Sequence, residues 1–199
     1  MQEAIDRFRL NIVHVCNIQA LYTSMRSMTT SAIDLSDLLR VQIVMSVSAL
    51  DYYVHEIARI GMLEIFDGSR PPTAAYGRFN ISLDSALQGR TDTSNTWLET
   101  EIRLRHGFLS FQQPDKIADA CRLISEVELW NTVAGHMGQD PKAVRGKLQL
   151  VVERRNKIVH EADADPSFPG ARWPITVTDV EGTTNFIEEV GETLHSVVA

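Results

Sequence analysis

Long apolar runs are missing from this 199-residue chain. The longest clusters, such as Ile43-Val44-Met45, are broken by Gln and Ser well short of the ~20 residues that a membrane-spanning helix requires. No membrane association is therefore expected. Cysteine is scarce as well. Cys16 and Cys121 both sit in helix-like segments, which excludes a disulfide framework and fits two small buried hydrophobes in a reducing cytoplasm. The N-terminus, MQEAIDRFRL, lacks the basic-then-apolar order of a secretion signal. Metal-binding patterns are absent too. His14, His55, His106, His136 and His195 are scattered, with no HExxH and no paired-Cys spacing, so neither a metal nor a cofactor is expected. Gly135-His-Met-Gly138 is a helix end rather than a phosphate-binding loop. Ser and Cys nucleophiles lack a supporting pattern. Trp97, Trp130 and Trp173 are too dispersed for a base-stacking platform.

What is present is ordinary globular composition, 44% hydrophobic and 23% charged, at a length that suits one domain spanning residues 1–199. The periodicity is helical almost throughout. Ile5, Phe8, Ile12, Val15, Ile18 and Tyr22 predict a helix over 2–27. Ser31 or Asp34 then caps a second helix that runs to about Phe66, where Asp67-Gly68 and Pro71-Pro72 end it. Its length invites a kink near Ser46 or Gly61. Residues 67–95 are loop-like, with a short helix at 82–88. Trp97, Glu101, Leu104 and Phe108 resume helical spacing, and Pro114 opens a helix expected to continue to Gly135 or Gly138. Asp140-Pro141 supplies an N-cap and a first-turn proline for the next helix. ITVTDV is one short extended piece, and residues 183–198 form a final helix. The fold class is all-α: a single helical bundle of about five to six helices with long loops.

Charge is uneven. The chain carries −7 overall, yet residues 141–160 hold six Lys or Arg (Lys142, Arg145, Lys147, Arg154, Arg155, Lys157) against Glu153 alone. That helix has a surplus of five positive charges, leaving −12 on the remainder. Such a run is either a solvated face or a local anion site on an acidic body. Within it, Val144, Leu148, Val151, Ile158 and Ala162 mark an apolar stripe that includes Arg155. An arginine there needs a carboxylate or a phosphate. Asp51, on the apolar stripe of Ile43, Val47, Leu50, Val54 and Ile57, is a candidate carboxylate.

His160 shares a face with Asn156 and lies in the last turn, because Asp165-Pro166 disfavours further helix. Arg155 and His160 are about 140° apart around an ideal helix. Their convergence requires an arginine reaching round, a distorted last turn or a second copy of the helix. A histidine can take and give a proton near neutrality. Together with a guanidinium fork on phosphate, that is the equipment for cleaving RNA through its own 2′-hydroxyl. The same residues also suit a helix cap and a buried ion pair.

Three stretches, SALDYYVHEIAR (48–59), SFQQPDKI (110–117) and RRNKIVHEADADP (154–166), together resemble the RiboL-PSP branch of the HEPN superfamily over about residues 35–166. The signature is Arg, four to six residues, then His, with a polar residue after the Arg. Arg155 to His160 fits with Asn156 in the polar slot, and Arg154 to His160 fits the spacing alone. The resemblance implies a bundle that dimerises with its motif helices apposed. It further implies a metal-independent endoribonuclease, typical of toxin–antitoxin, antiphage and RNA-processing systems, although some members only bind. On that footing Arg155, Asn156 and His160 are catalytic. Arg154, Lys157 and Lys147 hold RNA phosphates, with Asp51 and Glu161 in support. The expected partners are RNA, a second copy and an antitoxin or other defence component.

Overall fold

Two long amphipathic helices set the frame. In α1 (Gln2–Met28), Ala4, Ile5, Phe8, Ile12 and Val15 share one buried face. In α2 (Ser36–Phe66), the buried face runs from Leu39 through Val47, Leu50, Val54 and Ile57 to Ile65. The N-cap of α2 is Leu35, without a side-chain cap, rather than the expected Ser31 or Asp34; the Asp34 carboxylate instead accepts the Ser36 amide at 2.8 Å, and α2 then continues as one 31-residue helix. The computed structural model describes residues 1–92 and 94–199. After α2 come a 3-10 turn (Tyr76–Arg78), α3 (Leu83–Gly89), α4 (Thr96–His106), α5 (Pro114–Arg122), α6 (Leu129–His136), α7 (Pro141–His160) and α8 (Val177–Val198).

Among the described residues there are eight α-helices and no strand beyond an isolated bridge between Ala164 and Arg172. The all-α class is as predicted, with more helices than the five or six expected. No described helix is long and apolar enough to cross a membrane. The central helix α2 touches α1, α4, α5, α7 and α8. One continuous core gathers Phe8, Leu50, Tyr53, Ile57, Ile117, Val133, Leu148 and Ile187. A smaller cluster of Leu39, Ile43 and Val180, with Ile158 packed against it, seats the end of α7 on α2 and α8. Close approach is possible because α8 presents Gly191 to Phe8, where a Cβ would lie 2.4 Å from the ring.

Three local expectations differ from the structure. The helix opened by Pro114 stops at Arg122 and restarts at Leu129. Its last carbonyls are taken by side chains from the loop after α2. Thr73 Oγ1 donates to Arg122 O (2.8 Å) and Leu123 O (3.1 Å), and Arg70 donates to Ile124 O (3.2 Å). The ITVTDV segment turns helical from Val177. Thr176 and Asp179 form a reciprocal capping box there, which starts α8 earlier than the predicted 183. Cys16 is exposed on α1, whereas Cys121 is buried as expected, and burial pushes its thiol pKa up to about 12.

Candidate active site

The basic helix α7 begins as its sequence dictates. The Asp140 carboxylate accepts the Ala143 amide at 3.0 Å, and Pro141 occupies the first turn. Val144, Leu148 and Val152 are buried, and beyond Val152 the same side of the helix leaves the main core. The helix ends in a turn through Ala162 (φ 52°) and Asp163 (φ 57°), both left-handed. The amides of Glu161 (3.0 Å) and Asp163 (2.9 Å) both donate to the Lys157 carbonyl.

Val152, Arg155, Asn156 and His160 line one wall of a cleft of about 500 Å³, and residues 108–113 with Lys116 and Asp119 line the other, the Asp119 carboxylate being paired with Arg122. Arg155 Nη1 donates to Asn156 Oδ1 at 3.0 Å. Arg155 and His160 thus line one cleft although they are well separated around the helix. Among the described residues Arg155 has no ion pair, and its buried Nε has no hydrogen-bond partner. His160 is exposed at the helix end.

Asp51 does not pair with Arg155. Its Oδ1 accepts the Phe111 amide at 2.6 Å and its Oδ2 accepts Gln112 Nε2 at 2.9 Å. His55 Nε2 lies 3.7 Å from the same carboxylate, and the His55 ring packs on Phe111 with centroids 4.4 Å apart. The carboxylate thus fixes the wall opposite Arg155, and the alternative in which it neutralises that arginine is corrected.

The other predicted cations lie elsewhere. Arg154 Nη2 donates to Asp163 Oδ2 at 2.9 Å and to the Pro174 carbonyl at 3.2 Å. Arg40 Nε of α2 donates to the same carboxylate oxygen at 2.7 Å. Burial lowers the Arg154 pKa from its ordinary value while Asp163 works against that shift. Asp163 is fully buried, so Arg154 belongs to a clasp that ties the turn after α7 to α2. Lys157 lies over the Trp173 ring (5.4 Å) and Lys147 over the Phe186 ring (4.3 Å), and neither lines the cleft. Glu161 is exposed at the α7 C-cap. The cation that does line the cleft beside Arg155 is Lys116 of α5. A lone lysine outside the basic run carries no sequence pattern that marks it, although it falls within the SFQQPDKI stretch. Gln112 and Gln113 of the same stretch also line the cleft.

One open cleft therefore presents an uncompensated guanidinium, a second cation, a carboxamide and an accessible imidazole. That set can hold a phosphodiester and transfer a proton beside it. Among the described residues no group of three or more His, Cys, Asp or Glu is arranged to hold a metal ion. No curated protein and no solved structure matches the chain. A family model described as RiboL-PSP-HEPN matches residues 17–199, reaching well beyond the 35–166 of the three quoted stretches and taking in α8. The chain belongs to the RiboL-PSP-HEPN family.

Proposed function

We propose that this protein, acting as one helical domain in the cytoplasm, is a metal-independent endoribonuclease whose site is completed in a homodimer. The observation that carries the reading is the meeting of Arg155, Asn156 and His160 in a single open cleft, with no carboxylate on the arginine. In the reaction the ribose 2′-oxygen attacks phosphorus as its proton passes to a base. The 5′-oxygen leaves with a proton from an acid, giving a 2′,3′-cyclic phosphate and a 5′-hydroxyl. Arg155 holds the non-bridging oxygens as charge builds on them. Asn156 positions Arg155, and His160 transfers protons.

A single imidazole cannot be base and acid at the same moment, so a second copy of α7 supplies the other. Exposed Phe108, Leu109 and Val159 beside the cleft offer apolar surface for that contact. The acidic remainder of the chain directs RNA to this cleft. A role as a toxin restrained by an antitoxin, or in defence against phage, fits such an activity.

The second reading is a non-catalytic helical module that binds a partner protein, nucleotide or RNA through the same rim. Incubation with end-labelled RNA in EDTA separates the two. Cleavage to 2′,3′-cyclic ends by wild type, lost in His160→Ala, supports the nuclease. Intact RNA with wild type, or full activity in His160→Ala, overturns it.

A further inference from the structure

A second pocket, of about 370 Å³, lies behind the wall of the cleft, since Leu109 and Phe111 line both. This volume is within the range of about 300–1,000 Å³ usual for small-ligand sites. Three aromatic rings, Phe79, His106 and Phe111, stand in its lining beside Ala75, Leu109 and Leu123. The His106 ring stands edge-on to Phe79 (5.7 Å between centroids) and to Phe111 (5.3 Å). Arg78 and Asn80 are exposed at its rim. Arg78 has no ion pair among the described residues. Arg105 also lines the pocket, but Glu101 meets its charge at 2.8 Å. Asp119, on the shared wall, is engaged by Arg122.

His106 is the feature that the fold leaves unexplained. It is only 5% exposed, and its buried Nδ1 has no hydrogen-bond partner, whereas buried polar atoms are ordinarily bonded. Burial, helped by neighbouring His55, lowers its pKa to about 4, so the ring is neutral and carries one donor and one acceptor nitrogen.

We infer that this pocket receives one unpaired nucleobase of the RNA whose backbone crosses the Arg155–His160 cleft, which makes it a base-selecting subsite. The inference rests on the nuclease reading and adds to it a pocket that selects a base. A base is planar and π-faced, which suits walls made of Phe79, Phe111 and His106. Its edge carries neutral donors and acceptors that match the exposed Asn80 carboxamide at the rim. Its attached phosphate is an anion that Arg78 and Lys116 can meet on either side of the shared wall. RNA is read in this way where bases are splayed from the stack.

The test uses two uncleavable probes, a sequence-randomised 2′-O-methyl hexanucleotide and an abasic hexamer of the same length, titrated against the full-length protein. Ala75→Trp, which fills the pocket, and Asn80→Ala, at its rim, are expected to weaken the base-bearing probe about three- to tenfold and to leave the abasic probe unchanged. Arg155→Ala weakens both. In wild type the His106 ring resonances shift with the base-bearing probe alone, which decides the matter should Ala75→Trp fail to fold. Equal affinity for the two probes, unmoved by the pocket variants, overturns the subsite. It leaves the nuclease reading standing where Arg155→Ala still weakens binding. No binding of either probe overturns both.

Discussion

The carboxylate of Asp51, midway along α2, accepts the backbone amide of Phe111 at 2.6 Å, and this one contact sets the position of the cleft wall that faces Arg155. The same carboxylate holds the Gln112 side chain. Truncation by Asp51→Ala leaves the Phe111 amide without its acceptor in a buried setting. A loss of about 2 kcal/mol of unfolding free energy is expected, read by urea denaturation, together with faster hydrogen exchange at the Phe111 amide. Unchanged exchange there would show that the wall is held by something else.

The two neighbouring arginines of α7 should matter to stability very differently. Asp163→Ala strands Arg40 and Arg154 and should cost about 3–5 kcal/mol. Arg155→Ala removes a guanidinium with no carboxylate partner and should stay within about 1 kcal/mol of wild type. Urea midpoints of the two variants check this. A large loss in Arg155→Ala would mean that the residue serves the fold rather than the cleft.

Much of this arrangement was legible in the sequence. Apolar spacing located α1, α2 and α7, and Asp140-Pro141 marked where the basic helix begins. The three stretches quoted for their family likeness meet in space, since Asp51 and His55 grip Phe111 and Gln112 across from Arg155, Asn156 and His160. What sequence could not supply was the choice of partners. Two opposite charges on apolar stripes argued for an Asp51–Arg155 pair, but a carboxylate is equally well met by a loop amide sixty residues away, which no periodicity announces. Arg154 and Arg155 differ in fate because non-glycine residues Ala162 and Asp163 adopt left-handed geometry and carry the Asp163 carboxylate back beneath Arg154. The break between α5 and α6 likewise depends on Thr73 and Arg70 reaching the carbonyls from a distant loop.

Acid should destabilise the protein through His106. Its folded-state pKa of about 4 lies below the ordinary 6.5, so the unfolded chain takes up the proton first. The contribution of the neutral ring is complete above pH 6.5 and is lost as pH falls toward 4. With allowance for solvent screening it is on the order of 2 kcal/mol. Between pH 7 and pH 5 wild type should therefore lose unfolding free energy relative to His106→Phe, whichever of the two is the more stable at pH 7. Parallel curves would contradict a buried neutral imidazole.

Two helix glycines should give opposite signs. A Cβ on Gly61 would lie 2.6 Å from the Ile124 side chain, while one on Gly146 meets nothing within 4 Å. Gly61→Ala is expected to destabilise by about 1–3 kcal/mol through overpacking. Gly146→Ala is expected to stabilise by up to about 1 kcal/mol through helix propensity. Thermal denaturation of the pair checks the packing of α2 against the segment after α5.

If the imidazole at the end of α7 and the guanidinium of Arg155 act together on a phosphodiester, cleavage needs both. The most direct measurement is the end-group chemistry of RNA incubated in EDTA with wild type, His160→Ala and Arg155→Ala. Wild type is expected to leave 2′,3′-cyclic phosphate ends, and either variant none above background while remaining folded. Undiminished cleavage by His160→Ala, or no cleavage by wild type, would contradict it.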